Sequence, residues 1–468
     1  MGFVGLYTGL SGIRAAQAGL DVSSHNIANA NTPGYTRQRV ELRASQPYRS
    51  AAGWIGTGTT VDDISRLRDQ FLDDRYRSAI GEASQQGVRA EFLTSMEDLT
   101  NEPDNGLSGR IERLWDAAET WSNNPADAAS RRQVLTELSS IADGFQSTTA
   151  AWDRLGEDYT ERRDTVVSSA NQLLTDLHDL NARMTGADAH RIGPDLNDQR
   201  DEMLDELAEM LGTVARPSPD GGVSITLNGV ELLGPDVDTT APSVAIDGDG
   251  NVVVTDAEAG TETLTYDQIT GELGGLQEVL QEDLPTWRGQ LDVLASGLAD
   301  AVNDLNTGAG TAWEDPARAL LGFGDPTEPA ATLSVLTDDV DALVASAAGP
   351  AGSVHDGSNA RAIADLRTTE VGFTDGGGTT SRRIGDQLAD LTIGLAGAVR
   401  SARSAAEGAT GVATGAHQGR AAEHGVSVDE EMVGLVRYQR ALEANARVMT
   451  TVDQTLDVLV NRVGIVGR

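Results

Sequence analysis

The 468-residue chain contains no cysteine and no lysine. Without cysteine it has no disulfide, no thiolate metal site and no thiol nucleophile. Without lysine it has neither a Schiff-base amine nor the phosphate lysine of a Walker loop. Aromatic residues make up 4% of the chain against 39% hydrophobic overall, so its cores must be aliphatic and alanine-rich, as in long packed helices. Positive charge is also scarce. Asp and Glu number 72 against 35 basic residues, giving a formal charge of −37. Such a chain repels nucleic acid and anionic membranes and stays soluble.

No apolar run reaches 18 residues, so no transmembrane helix is expected. The first residues lack a basic region and Arg14 interrupts their apolar stretch, so a cleaved signal is not expected. Leu6 stands where myristoylation needs Ser or Thr, so any export uses another route. Catalytic patterns are missing too. There is no GxSxG elbow and no HExxH pair, and the histidines form no i, i+4 pair. Gly53, Gly56 and Gly58 have the wrong spacing for a dinucleotide loop. Asp247, Asp249, Asn251 and Glu258 fall at positions one, three, five and twelve of a calcium-like loop. Val252 occupies the position that needs Gly, and a tight turn at Asp249-Gly250 accounts for the same residues. No enzyme activity, cofactor or metal is expected.

What is present is helical period. Leu6, Ile13, Leu20 and Ile27 recur every seven residues, with Phe3 and Leu10 beside the first two. Val428, Leu435, Leu442, Met449, Leu456 and Val463 do the same at the other end. Each stripe is one helix wide and needs a partner. The two are expected to pair with each other and with neighbouring subunits, or else to pack onto the body.

Between the ends, residues Thr36 to Arg43 alternate as a strand. The glycine-rich GWIGTGTTV reads as a loop before a helix from about Ser65 to Leu99. A short helix follows from Leu107 to Trp121, with Asn124 as the cap of the next. From Val134 to Met184 a 4-3 spacing predicts one long coiled-coil-like helix. Asp195 to Leu211 is helical and stops at Gly212. Thr213 to Thr270 carries short β patterns with Asn-Gly and Asp-Gly turns. Helix resumes from Gly274 to Leu305 and from Arg382 to Ala406, weakening through the glycines to Gly425. Asn359 to Thr368 is a short helical piece in an otherwise irregular stretch.

The expected fold class is therefore mainly α with small inserted β domains, and with terminal helices paired at one end. Residues 1–64 and 426–468 would form a terminal helical domain. Residues 65–212, 271–307 and 379–425 would form a long-helix domain. Residues 213–270 would be a β insert, and 308–378 an irregular insert belonging to an outer domain.

One passage near the start, HNIANANTPGYTRQ from His25 to Gln38, is polar and turn-rich. Locally it reads as a helix C-terminus followed by a Pro33-Gly34 turn. Residues 5 to 72, through Leu20-Asp21-Val22-Ser23-Ser24-His25 and the motif Asn26, Ile27, Ala28, Asn29, Thr32, Pro33, Gly34 and Tyr35, resemble the N-terminal region of bacterial flagellar rod, hook and hook-associated axial proteins. Val426 to Met432, Tyr438-Gln439-Arg440-Ala441 and Ala444-Asn445-Ala446 are similar to that family's C-terminal signature. The interior Asn124-Pro125-Ala126-Asp127, Arg131, Gln133 and Leu196-Asn197-Asp198-Gln199-Arg200-Asp201 resemble the hook-associated members at the hook–filament junction.

The resemblance implies a structural, non-catalytic role: a ring between hook and filament, exported by the flagellar type III apparatus without a cleaved signal. It implies termini that order on assembly. It also implies several partners: the chain itself, the hook protein, the second junction protein, and a cytoplasmic export chaperone that binds the C-terminal segment. Candidate subunit-packing residues are Leu6, Ile13, Leu20, Ile27, Val428, Leu435, Leu442, Met449, Leu456 and Val463. Two other readings stand beside this one: another axial protein such as rod or hook, or a secreted binding protein whose function lies in the β insert.

Overall fold

The computed structural model describes residues 2–50, 53–100, 102, 106–185, 193–218, 221–234, 241–256, 260–308, 319–348 and 353–458. Val463 and Glu258 lie outside the described residues.

The chain opens with α1 (Gly2–Ala28). A β-ribbon follows, made of β1 (Gln38–Ala44), β2 (Tyr48–Ser50), β3 (Gly53–Ile55) and β4 (Thr59–Arg66). β1 pairs antiparallel with β4, with an irregularity at Glu41/Leu42, and β2 pairs with β3. The helix expected from Ser65 begins instead at Gln70, as α2 (Gln70–Leu99). Two local forces decide this. Thr59, Thr60, Val61 and Ile64 favour extended backbone once β1 supplies a ladder. Asp69 then caps α2, its carboxylate accepting from the Phe71 N–H at 2.9 Å.

Next come α3 (Leu107–Asn123) and α4 (Ala128–Met184). Asn124 closes α3, and the cap of α4 is Asp127. The Asp127 carboxylate lies within reach of two N–H groups, Ala129 and Ser130. At ~1.5 Å per residue, α4 is a rod of roughly 85 Å. Its 4-3 row is the core-facing row: Val134, Leu138, Ile141, Phe145, Trp152, Tyr159, Val166, Ala170, Leu177, Leu180 and Met184 are buried. α5 (Pro194–Leu211) ends where Gly212 takes φ +69°, the left-handed cap that glycine accepts without penalty.

The β insert is two antiparallel three-stranded sheets. The first is β5 (Val214–Pro217), β6 (Val223–Leu227) and β7 (Val230–Leu233). The second is β8 (Ser243–Ile246), β9 (Val252–Asp256) and β10 (Gly260–Leu264). Asn228-Gly229, both at positive φ, turn β6 into β7. The Asp247 carboxylate accepts from the Asp249 and Asn251 N–H groups at 2.9 and 2.8 Å, which is the tight turn read from the sequence.

Two asparagines tie the insert to α4. Asn181 accepts from the Val223 N–H (2.7 Å) and donates to its carbonyl (3.0 Å). Asn171 does the same with Val244, both at 2.8 Å. Each side-chain amide thus stands in for a neighbouring strand.

α6 (Gly271–Glu278) runs through a π-turn, Val279–Asp283, into α7 (Leu284–Gly308). The stretch expected to be irregular holds β11 (Leu321–Phe323), α8 (Pro329–Thr332), β12 (Leu333–Val335), α9 (Ser358–Asp365) and the hairpin β13 (Glu370–Asp375) with β14 (Gly378–Arg383). The last two helices are α10 (Ile384–His424) and α11 (Val428–Asp457). α10 does not weaken through its glycines. It lies antiparallel on α2, with Arg403 meeting Thr94 at one end and Arg420 within 3.7 Å of Asp73 at the other. That tertiary packing outweighs low local helix propensity.

Candidate assembly interface: the terminal helix pair and its junction

α1 and α11 pack antiparallel. The seam on α1 is a row of small residues, Gly5, Gly9, Gly12, Ala16, Gly19 and Ser23, in a 4-3 rhythm. Opposite stand larger residues of α11. A Cβ on Gly5 would meet Val452 at 3.1 Å, on Gly9 Met449 at 2.8 Å, and on Gly12 Asn445 at 2.5 Å. On Gly19 it would overlap the Tyr438 ring, and Gly434 faces Ser23. Glycine is needed here for close approach, not for its dihedral freedom.

The seven-residue rhythm read from the sequence is therefore present, but the α1 seam lies one position over. Apolar residues gave the stripe away, whereas the closest backbone approach falls at residues with almost no side chain. Leu6, Ile13, Leu20 and Ile27 flank the seam, half-buried. On α11, Leu435, Leu442, Met449 and Leu456 are also half-buried, and Val428 is exposed. The far side of α11 shows Met432, Val433 and Val436 to solvent.

The HNIANANTPGY passage forms the joint below this pair. Asn26, 1% exposed, accepts from the Gln38 N–H (3.0 Å) and donates to the Gln38 carbonyl (2.9 Å). Tyr35 donates its hydroxyl to the same Asn26 oxygen at 2.7 Å. Burial and the nearby Asp198 and Asp195 carboxylates push the Tyr35 phenol up, so it remains a donor. Asn29 donates to the His25 carbonyl at 3.1 Å, closing the last turn of α1. Thr32 donates to the Asn29 side chain, and Gly34 turns at φ +73°. Ile27 is half-buried, and Ala28 and Pro33 are exposed.

The joint is fixed to the body by charge. Asp198 accepts from the Thr36 N–H at 3.2 Å and from Arg66 at 2.7 Å. Asp201 accepts from Arg66 at 2.6 Å and Arg68 at 2.5 Å, with Arg77 and Arg200 close by. Burial alone would raise the Asp201 carboxyl, but Arg68, Arg200 and Arg66 together hold it below the usual range. Arg37 pairs with Glu431 at 2.7 Å and Glu430 at 2.8 Å, joining the start of the ribbon to α11. His424, the last residue of α10, accepts from the Asp69 N–H at 2.8 Å, and its carbonyl accepts from the Arg37 N–H at 3.0 Å. Sequence reasoning singled out Asp198 and Asp201 only as part of a motif. Arg66 fell within the N-terminal resemblance without a role, and His424, Arg68 and the glycine row were missed, because nothing local distinguishes them from surface residues.

Three segments distant in sequence thus converge on one joint: both ends and the start of α5. That arrangement defines a protein whose two termini act as one unit, and each segment has relatives. Residues 6–36 match the family model for flagella basal body rod protein, and residues 417–462 the model for the C-terminal region of flagellar basal body rod FlgEFG proteins. These matches define the class, an axial component of the flagellum.

Residues 93–316 match the model for the helical domain of flagellar hook-associated protein FlgK. Flagellar hook-associated protein 1 of Bacillus subtilis is 28% identical over 100% of this chain and 99% of its own length. The same protein of Salmonella typhimurium is 30% identical over 68% of this chain, which spans 59% of that relative's length. The solved structure of the flagellar hook junction protein FlgK from Burkholderia pseudomallei has the same fold. Its TM-score is 0.62 at 13% identity, covering 74% of this chain and 99% of that one. The chain belongs to the flagellar hook-associated protein 1 family.

Proposed function

We propose that the chain is a structural subunit of the junction between flagellar hook and filament, and that it closes into a ring through its α1–α11 pair. The observation that carries this reading is the pair itself. Its inner seam is filled by the chain's own residues, while Met432, Val433, Val436 and Tyr7 are left exposed on its outside. Exposed apolar residues on one helix face suit packing against copies of the same chain. Leu6, Ile13, Leu20, Ile27, Leu435, Leu442 and Leu456, all half-buried, would complete those contacts, with Met449 already seated in the seam on Gly9. The hook protein and the second junction protein would bind the two open ends of the ring. A cytoplasmic chaperone would cover the C-terminal segment before type III export. The role is scaffolding, not catalysis. Site-specific labelling on purified flagella tests it: label is expected in one narrow zone beyond the hook, and label along the hook or rod would overturn the reading.

A further inference from the structure

His424 holds three segments at once. Its carbonyl takes the Arg37 N–H, its ring nitrogen Nε2 takes the Asp69 N–H, and its backbone ends α10. Accepting at Nε2 requires a lone pair there, which places the ring proton on Nδ1, facing Asp73 Oδ1 at 3.8 Å. The ring is therefore neutral in this arrangement.

We propose that His424 is a proton-operated latch between the terminal helix pair and the body: neutral, it clamps the start of α2, and protonated, it lets go. A proton on Nε2 turns the acceptor into a donor aimed at another donor, so the Asp69 N–H loses its partner. The chain on either side of that N–H leads to β4 and to α2, so the loss falls at the joint itself.

The surrounding charges set the operating range. On α2, Asp69 and Asp73 favour the proton. Before α2, Arg68 opposes it, and so does Arg420 on α10. Asp73 is already engaged by Arg68 at 2.5 Å, and the α5 carboxylates Asp201 and Asp205 engage Arg68 and Arg420. Tyr76 lies under the Arg420 guanidinium, with the His417 ring tilted against it. Across the joint, Glu430 and Glu431 are held by Arg37. Burial comes first among the opposing causes, and His424 titrates below the usual histidine range. A crevice of about 560 Å³ beside the Thr32–Thr36 turn is lined by His424 and His417 and gives solvent protons a path. The folded-state affinity for the proton is lowered, so the clamp is complete above the ordinary histidine value near 6.5 and is lost as pH falls below it.

The test is hydrogen exchange of the full-length chain as a monomer, read at Arg37 and Asp69 and corrected for intrinsic pH dependence. It does not depend on ring formation, so its failure is distinct from failure of the assembly reading. Between pH 7.5 and 5.5 exchange at these two sites should rise several-fold, with roughly tenfold the ceiling set by going one pH unit below the ordinary histidine value. In His424→Gln the rise should vanish. In Asp73→Asn, which removes a carboxylate favouring the proton, its midpoint should move to lower pH. Flat wild-type exchange over this range would overturn the proposal. So would a His424→Gln profile that follows wild type, or an unmoved midpoint in Asp73→Asn. If either variant fails to fold, the other decides.

Discussion

The middle of α4 and the α1–α11 pair are both long antiparallel helix contacts, yet they are built from opposite materials. Around α4, the wholly buried Trp152, Phe145 and Trp121 belong to one continuous core that reaches α2, α3, the β insert and α7. At the termini, glycines on α1 receive single side chains of α11, and most of α11 faces solvent. The first contact removes large apolar areas from water at about 25 cal/mol per Å² and can stand alone. The second removes little, so it depends on close backbone approach and on the polar joint beneath it. Stability thus rests on the α4 core, and the proposed assembly contacts lie at the termini.

The largest effects are expected on the strong side. Trp152→Ala leaves a cavity and deprives the Met96 carbonyl of its indole donor. It should cost about 3–5 kcal/mol in denaturant unfolding of the body. Asp201→Asn strips the centre from the arginine cluster. Arg66 then keeps only Asp198 and Arg68 only Asp73, and the loss of their shared buried carboxylate should cost about 3–5 kcal/mol, read as faster exchange at the joint. Because its carboxyl is held low in the folded state, the wild-type contribution is present above pH ~4 and fades as pH falls below it. The Asp201→Asn variant should lack that acid-side loss.

Smaller effects test the weak side. Asn26→Leu leaves the Gln38 N–H and carbonyl without their partner, costing about 1–3 kcal/mol. It should raise exchange at Gln38 while the body's unfolding midpoint stays put. Gly19→Val forces the Tyr438 ring outward and should cost about 1–3 kcal/mol locally. Protease cleavage in α11 should then quicken with no change around α4. A body that lost stability in Gly19→Val would show the two regions to be one cooperative unit.

Much of this fold is legible in the sequence where large apolar residues mark the period. The row from Val134 to Met184 is such a case, and so are the β patterns punctuated by Asn-Gly and Asp-Gly. The period of both termini was legible too. The glycine row that lets α11 approach was not, because hydrophobic pattern reports what wants burial, whereas glycine contacts are created only by the partner's shape. The β4 strand was hidden because its sheet partner lies some twenty residues away, and the unbroken α10 because its support comes from α2. The family motif pointed to the joint. The role of Asn26 needed the structure, since beside the Tyr35 hydroxyl its partners are the N–H and carbonyl of Gln38, backbone atoms that almost any residue at position 38 would offer.

The most direct measurement compares the full chain with one ending at Gly425, in unfolding and in assembly on hooks. If stability and assembly are separate, the body's unfolding transition is retained while the shortened chain builds no junction and supports no filament. Filaments growing on hooks that carry the shortened chain would contradict that separation.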